Sequence, residues 1–288
     1  MRALVLSGGA SKGAYQIGAL KYLINDLGTQ YDILCGVSVG ALNCAHLSMY
    51  TKDQQKNALT NLINVWETIS TSSVRKNWIP FREITFLWKN SLYNSQPLID
   101  LVNKNLNLQT IRNSGVKVSV GTTCLYDSNY KSFTQDDNEF IQGVIASSSY
   151  PMGLDPVSIN NKLYTDGGLR HVIPISEAVK FGADDIDVVI CQPEEDSSIY
   201  TPNGSITGID FGLRCLDIMS DQTIESDVKM AQLYNKLVNA GLAPNKKYLN
   251  MKIIRPTNNL NFSALDFDHN NIMQMIDIGY QNAKDQYI

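Results

Sequence analysis

The sequence predicts an α/β fold of three layers, in which a largely parallel sheet lies between two layers of helices. Short apolar runs alternate with stretches whose apolar residues recur at helical spacing, and no linker-like segment divides the 288 residues. A hydrophobic content of 43% allows a large core. We therefore expect one domain over residues 1–288, with its motifs in residues 1–191 and a helical and strand extension over residues 208–288.

The strands are predicted from short apolar runs bounded by turn residues. They cover residues 2–6, 31–35, 116–124, 130–134 and 186–191. Further along, the pattern predicts a hairpin of strands at 157–159 and 163–165, a long helix after residue 208, a strand at 248–254 and a helix at 265–283. Parallel sheets place their sites at the carboxyl ends of strands, so the segments after residues 6, 35 and 165 are expected to converge.

The first strand ends in a glycine-rich loop, Ser7-Gly8-Gly9-Ala10-Ser11-Lys12-Gly13, which precedes a helical pattern. Such loops expose backbone N–H groups that can bind a phosphate or an oxyanion. Ala14 stands where a P-loop needs lysine, and Ala10 stands at the second glycine of a dinucleotide-binding loop, so neither nucleotide motif is present. An oxyanion loop and a simple tight turn remain as alternatives.

Ser38 lies in Gly36-Val37-Ser38-Val39-Gly40, between an apolar run and a helical stretch. A serine on a sharp strand-to-helix turn needs small neighbours, because the strained backbone leaves little room beside it. The free N–H groups of the helix that follows favour an oxyanion at the same place. The pattern predicts a nucleophile elbow with Gly36 and Gly40 as its small residues; a glycine-rich turn without a catalytic role is the alternative.

Asp166 ends a predicted strand and is followed by Gly167 and Gly168. By itself this pattern is typical of a turn-forming aspartate. Together with an exposed serine, Asp166 becomes a candidate general base. An aspartate of ordinary pKa, near 4, is a poor base at neutral pH, and burial raises that pKa and makes proton transfer from serine feasible.

Four motifs carry a family resemblance by their order and spacing. They are residues 6–18, residues 36–43, the run Ala146-Ser147-Ser148-Ser149-Tyr150-Pro151, and Asp166-Gly167-Gly168. Together they resemble the patatin-like phospholipases, particularly the bacterial type, from residue 1 to about residue 191. The resemblance implies a patatin-like fold, and the segment 265–283 is similar to the C-terminal helix of bacterial members.

The resemblance implies a serine–aspartate dyad, with Ser38 as the nucleophile and Asp166 as the base. The oxyanion hole that it implies is formed by the glycine-rich loop, at Gly8, Gly9, Ala10, Lys12 and Gly13. Two departures from the family pattern stand out. Ala10 replaces the usual middle glycine of the loop. Val172 stands where many members carry an asparagine, so we expect a supporting hydrogen bond near Asp166 to be missing.

The implied activity is hydrolysis of phospholipid or lysophospholipid esters through an acyl-enzyme, without a metal or cofactor. A general carboxylesterase or acyltransferase with the same dyad is one alternative, and a lipid-binding or regulatory module with an idle dyad is another. A Ser38–Asp166–His269 triad follows the order of α/β-hydrolases, but only one strand precedes the strand of the elbow, which argues against it. His46 and His171 are expected to be packing or surface residues.

Residues 75–89 interleave aromatic and basic side chains, including Trp78, Phe81 and Trp88. This mixture suits a bilayer interface, where indole rings and cationic groups lie at the depth of the lipid head groups. The segment also falls where an insertion would cover the active site. Membrane or lid contact and packing in the core are therefore both open interpretations.

Composition and charge narrow the cellular setting. The net charge of −4 argues against broad attraction to nucleic acid or to anionic membranes. Five cysteines without a C-x-x-C pair are expected to be free, mostly buried thiols in a reducing compartment. No apolar run is long enough for a signal-peptide core or a membrane span. We expect a cytoplasmic protein that contacts membranes peripherally, and the sequence leaves its oligomeric state open.

Overall fold

The computed structural model describes residues 1–77, 90–194, 208–260 and 267–287. The strands are β1 (Arg2–Leu6), β2 (Ile33–Val37), β3 (Lys76–Asn77), β4 (Tyr93–Asn94), β5 (Lys117–Cys124), β6 (Tyr130–Thr134), β7 (Val157–Ile159), β8 (Lys162–Asp166), β9 (Asp185–Val189) and β10 (Asn250–Ile254). The helices are α1 (Gly13–Leu20), α2 (Val39–Leu47), α3 (Gln55–Thr68), α4 (Thr71–Val74), α5 (Gln96–Asn105), α6 (Leu108–Asn113), α7 (Phe140–Ser147), α8 (Ile175–Lys180), α9 (Gly208–Asn239) and α10 (His269–Gln286). Strands and helices alternate along most of the chain, as the periodicity predicts.

The central sheet contains eight strands within the described ranges. Its order is β10-β9-β1-β2-β5-β8-β7, and β6 pairs with β5 outside this path. The strands from β10 to β5 are parallel, whereas β6 and β8 run antiparallel to β5 and β7 runs antiparallel to β8. The predicted α/β class with a largely parallel sheet is confirmed, and the antiparallel strands are confined to one side of it.

Two hydrophobic cores cover the two faces of the sheet. Leu4 and Leu6 of β1 belong to the core that contains α1, α2, α3, α7 and α10. Ala3 and Val5 of the same strand belong to the core that contains α8 and α9. Because both faces of β1 are buried, the strand is a continuous apolar run rather than an alternating one.

The C-terminal extension joins the same sheet and the same core. β10 pairs in parallel with β9, and α10 packs closely along α1. A Cβ atom at Gly279 would lie 2.0 Å from the carbonyl oxygen of Tyr15, so only glycine permits this approach. The extension therefore supports α1, the helix that follows the glycine-rich loop.

Several predicted boundaries shift by a few residues. The strand expected at 31–35 is β2, which continues to Val37 because Gly36 and Val37 pair with Val120 and Gly121 of β5. The helix expected at 265–283 begins at His269, where the Asp268 carboxylate accepts hydrogen bonds from the first free amides. The expected strand at 130–134 has its predicted bounds.

The five cysteines are all free, as expected, and four of them are buried. In the part of the chain that the structure describes, no helix combines the length and the apolar character that crossing a membrane requires.

Candidate active site

Ser38 sits on a strained turn between the end of β2 and the start of α2. Its backbone has φ 56° and ψ −128°, a conformation that residues other than glycine rarely adopt. Such strain persists only where the surrounding structure enforces it, and it is concentrated at functional sites. Ser38 is 8% exposed, so the turn is largely buried rather than on an open surface.

The two glycines of the elbow are required by close packing of backbone segments. A Cβ at Gly36 would lie 2.3 Å from the carbonyl oxygen of Gly40, and a Cβ at Gly40 would lie 2.4 Å from that of Leu6. Neither contact is possible for a larger residue. The elbow therefore packs directly against the end of β1, where the glycine-rich loop begins.

The backbone of Ser38 is held by the end of α7. Its amide donates to the hydroxyl of Ser147, 2.9 Å away, and its carbonyl accepts from the hydroxyl of Ser148 at 3.3 Å. These serines lie in one of the motifs quoted above, but nothing in the sequence pattern assigns them a role. They hold the strained turn through hydrogen bonds to both the amide and the carbonyl of Ser38.

The register of β5 brings Asp166 to the elbow. Val37, the last residue of β2, pairs with Gly121, and Asp166 pairs with the next residue, Thr122. β6 occupies the other edge of β5 over residues 119–123, so β2 and β8 must share one edge. β8 thus pairs with the same edge of β5 as β2 does, beginning one residue beyond the last partner of β2. Ser38 directly follows β2, so Asp166 at the end of β8 lies next to it.

The strand that carries Asp166 differs in direction from those that precede the other two segments. The sequence predicts that Asp166 lies just past the end of a hairpin strand and can converge with the segments after residues 6 and 35. That strand, β8, runs antiparallel to β5 and approaches Ser38 from beyond the carboxyl ends of the parallel strands.

Asp166 is buried and hydrogen bonded. The residue is 3% exposed, its carboxylate interacts with the Ser38 side chain, and it accepts a hydrogen bond from the amide of Gly168 at 2.8 Å. Burial, the largest effect, raises the pKa of Asp166 from its usual 3.8 to about 6, and the interactions with Ser38 and the Gly168 amide counteract part of that rise. The carboxyl is therefore more basic than an ordinary aspartate and still mostly ionised at pH 7.

The glycine-rich loop lies against Ser38. A Cβ at Gly8 would lie 3.3 Å from the Cβ of Ser38. The Gly8 amide donates to the carbonyl of Val172 at 3.3 Å, whereas no hydrogen bond donated by the amide of Gly9 or Ala10 occurs among the described residues. Ala10 has φ 49°, in the left-handed region where glycine is favoured. The replacement of the family's middle glycine is therefore accommodated at a cost in backbone strain.

The rest of the loop closes on itself. The Lys12 amide donates to the carbonyl of Gly9 at 3.0 Å, and the Gly13 amide donates to the carbonyl of Ala10. These bonds use the amides of Lys12 and Gly13 within the loop, and they leave the Gly9 and Ala10 amides as its available donors.

A buried chain of polar side chains supports the loop from behind. The Trp66 indole donates to Asn43, Asn43 donates to Gln16, and Gln16 donates to the carbonyl of Ser7, over distances of 3.0, 2.9 and 2.7 Å. The Ser7 hydroxyl in turn donates to the carbonyl of Gly8 at 2.9 Å. This series of hydrogen bonds connects α3, α2 and α1 to the loop. Its members lie on three separate helices, so no local sequence motif reveals it.

Asp227 of α9 holds the segment that follows Gly167 and Gly168. Its carboxylate accepts from the amides of Val172 at 2.9 Å and Ile173 at 3.0 Å, and lies 2.8 Å from Nδ1 of His171. Val172 is buried against the glycine-rich loop at Gly8. The side chain of Val172 therefore forms packing contacts and no hydrogen bond. The backbone amide of Val172 is held by the Asp227 carboxylate of α9.

The histidines lie apart from the two site residues. His269 starts α10 and its Nδ1 contacts the carbonyl of Glu67 at 3.1 Å, while His171 pairs with Asp227. His46 is buried in α2. No histidine is among the hydrogen-bond partners of Ser38 or Asp166, so His269 does not complete a triad in this arrangement.

Trp78, Phe81 and Trp88 fall outside the described residues. A cavity of about 740 Å³ is lined mainly by residues of α5 and α7 and by residues 155–158, and neither Ser38 nor Asp166 is among its lining residues. No group of three or more His, Cys, Asp or Glu side chains suited to a metal ion occurs in the described ranges.

The fold and these motifs are those of a patatin-like protein. Residues 4–179 match the family described as Patatin-like phospholipase, and the chain belongs to that family.

Two further proteins are similar to this chain. "Probable lipid hydrolase 463L" of Invertebrate iridescent virus 6 is 26% identical over 191 residues, which cover 62% of this chain and 64% of that protein. Among solved structures, VipD from Legionella pneumophila aligns with a TM-score of 0.44 and 13% identity over 99% of this chain and 66% of that one. The chain thus spans slightly less than two thirds of the length of each.

Proposed function

We propose that this protein hydrolyses acyl esters of phospholipids or lysophospholipids, with Ser38 as the nucleophile and Asp166 as the general base. The observation that carries the proposal is a serine on a strained turn beside a buried carboxyl, whose burial raises its pKa to about 6. A base is most effective when its pKa lies near the working pH, and burial provides this shift for Asp166. Membership of a phospholipase family supports a lipid ester as the substrate.

Acylation begins when Asp166 removes the Ser38 proton as Oγ attacks the ester carbonyl. The carbonyl electron pair moves to oxygen, which gives a tetrahedral oxyanion. Collapse of this intermediate breaks the ester C–O bond, and the departing alcohol takes the proton from Asp166. The products of this half-reaction are the acyl-enzyme and a lipid with one acyl chain fewer.

Deacylation repeats the sequence with water. Asp166 removes a proton from water as the water oxygen attacks the acyl-enzyme carbonyl, and the second tetrahedral intermediate expels Ser38 Oγ. The serine recovers its proton from Asp166 and the fatty acid leaves. Each half-reaction returns Asp166 to its ionised form.

The developing oxyanion is stabilised by backbone amides in the proposed mechanism. The amides of Gly9 and Ala10 have no partner among the described residues, and the loop that carries them touches Ser38 at Gly8. The first amides of α2 add the positive end of a helix dipole. Gly8 allows the loop to lie close to Ser38. The amides of Lys12 and Gly13 form the hydrogen bonds that close the loop on itself.

The test is hydrolysis of phosphatidylcholine and lysophosphatidylcholine vesicles by the purified protein, with the products identified by mass. We expect fatty acid release, which Ser38→Ala reduces ~10³-fold or more without a change in the thermal melt. A fluorophosphonate probe should label the wild type and not the variant. Turnover of soluble esters without turnover of lipids would favour a general carboxylesterase. No labelling and no hydrolysis would favour an idle lipid-binding module.

A further inference from the structure

A small cavity lies beside α2, among α2, α3 and α5. Its volume is about 60 Å³, and it is lined almost entirely by apolar atoms, with Leu42, Leu62, Trp66, Leu101, Val102 and Leu106 among its walls. At ~10–15 Å³ for each water-sized group, this space accommodates roughly four to six such groups. Leu101 and Leu106 are partly exposed, so the wall of the cavity that α5 forms lies near the surface.

One polar group in the wall of this cavity has no partner. Nε2 of His46 is buried and forms no hydrogen bond among the described residues, and the side chain is only 7% exposed. The other polar lining side chains are engaged: Asn43 bonds to Gln16 and Trp66, and Asn105 donates to the carbonyl of Leu101. Burial lowers the pKa of His46 to about 4, so the ring is neutral at pH 7.

Burying a neutral imidazole nitrogen in an apolar wall is unfavourable unless a ligand forms a hydrogen bond with it. A buried polar group without a hydrogen bond keeps the cost of its desolvation uncompensated, whereas a satisfied one does not. A neutral imidazole can donate or accept according to its tautomer, so a hydroxyl group satisfies it in either form. A ligand that fits the site is therefore apolar and carries one hydroxyl.

The position of the cavity along α2 suggests which ligand this is. Leu42 and His46 follow Ser38 by four and eight residues, so they lie on the same side of the helix as the elbow. At ~1.5 Å per residue, His46 is ~12 Å along the helix from Ser38. An extended alkyl chain with C–C bonds of ~1.5 Å covers this distance in roughly ten carbons.

We infer that this cavity receives the far end of the acyl chain held on Ser38, and that His46 selects chains that carry a hydroxyl group about ten carbons from the ester. The inference rests on the proposed function, because it takes Ser38 as the point of acylation. Trp66 connects the two regions, since its ring lines the cavity and also packs at the position of Gly13 beside the elbow.

The kinetic test compares 4-nitrophenyl esters of decanoate and 10-hydroxydecanoate. We expect the ratio of kcat/KM for the hydroxylated over the plain ester to fall about tenfold in His46→Leu, because the hydrogen bond is lost while the apolar wall remains. His269→Leu is the matched control, since His269 lies on the surface at the start of α10, and its ratio should equal that of the wild type. An unchanged ratio in His46→Leu would overturn the inference.

A second variant tests the cavity itself. Val65→Phe places a larger side chain at the partly exposed wall of the cavity. We expect it to lower kcat/KM for the decanoyl and 10-hydroxydecanoyl esters at least fivefold while butyryl ester turnover stays within twofold, since a short chain does not reach the cavity. Equal losses on short and long esters would count against an acyl-chain site.

A binding measurement separates this inference from the proposed function. Methyl 10-hydroxydecanoate is added to Ser38→Ala protein labelled with ¹⁵N-histidine, and the three histidines are assigned by single variants. The ring nitrogen signals of His46 should shift, those of His171 and His269 should not, and methyl decanoate should leave the His46 signals nearly unchanged. If the wild type hydrolysed no ester, the proposed function would be refuted. If the His46 signals did not shift, the cavity inference would be refuted, even if the enzyme were active.

Discussion

The amide of Val172 donates a hydrogen bond to the Asp227 carboxylate, 2.9 Å away, although 55 residues separate them. Through the Val172 carbonyl, which accepts from the Gly8 amide, this contact connects the middle of α9 to the glycine-rich loop. Asp227 is therefore a positioning residue for the proposed oxyanion loop, even though it touches neither Ser38 nor Asp166 in the contacts described.

Replacing Asp227 tests this connection. Asp227→Ala leaves the buried amides of Val172 and Ile173 without an acceptor, so we expect a loss of ~1–3 kcal/mol in the free energy of unfolding. Because the loop loses its anchor, kcat should fall about tenfold with a smaller change in KM. Urea unfolding and esterase kinetics measure both. Ser226→Ala, on the exposed side of the same helix, should change neither, and wild-type values for Asp227→Ala would refute the assignment.

The base is tested by Asp166→Asn. The amide keeps the shape of the carboxylate and cannot accept the serine proton, so ester hydrolysis should fall ~10³-fold. His171→Ala and His269→Ala should each keep most of the activity, since neither contacts the pair. If His269→Ala were as inactive as Asp166→Asn, a triad would be the correct mechanism.

Activity should depend on the ionisation of Asp166. Its ionised form is the base, so kcat/KM should rise with pH through about 6 and reach a plateau above pH 7. The measurement is a pH profile with a soluble ester. A rate that does not vary between pH 5 and pH 7.5 would exclude a base of this pKa.

The same pKa makes a prediction about stability. The pKa of Asp166 is higher in the folded protein than its usual value of 3.8, so the folded state binds the proton more tightly and the stability gained in this way is lost as pH rises from about 4 through about 6. At ~1.4 kcal/mol per pKa unit, the ionised carboxyl costs roughly 3 kcal/mol above pH 7. Asp166→Asn should therefore melt at a higher temperature than the wild type at pH 7.5, with a smaller difference at pH 5. A variant less stable than the wild type at pH 7.5 would contradict this reasoning.

Ala10 offers a test of backbone strain in the loop. An L-residue in the left-handed region costs ~1–2 kcal/mol, and a glycine at this position would remove that strain. Glycine also has greater freedom in the unfolded chain, which offsets ~0.4–1 kcal/mol of the stabilisation. Ala10→Gly should therefore stabilise the protein by roughly 0.5–1 kcal/mol with activity retained. Ala14→Gly, a few residues later in α1, should destabilise it by ~1 kcal/mol. Equal effects of the two changes in thermal melts would show that the strain at Ala10 is absent.

The aromatic residues of segment 75–89 provide the test for membrane contact. Changing Trp78, Phe81 and Trp88 to alanine should lower hydrolysis of vesicles far more than hydrolysis of a short soluble ester, because aromatic anchoring acts only when a bilayer is present. The measurement is the ratio of the two rates, with a thermal melt alongside. A wild-type ratio would reject membrane docking by this segment, and equal losses with a lower melting temperature would show that these residues form part of the core.

The sequence by itself determines the features whose physics is local. Gly36, Ser38 and Gly40 reveal a sharp strand-to-helix turn because only small residues fit beside it, and the apolar periodicities identify most strands and helices. The order of four short motifs is enough to indicate the family. These signals are readable because each depends on a few consecutive residues and on backbone geometry that neighbours in sequence enforce.

Tertiary structure alone decides how the site is assembled. The pairing of Asp166 with Thr122, next to the end of β2, depends on strand register, which no local pattern specifies. The anchoring by Asp227 and the unpartnered nitrogen of His46 depend on which helices pack together, because burial and hydrogen bonding are properties of the folded surroundings. The raised pKa of Asp166 has the same origin: the residue type supplies the carboxyl, and only the packed fold removes it from water.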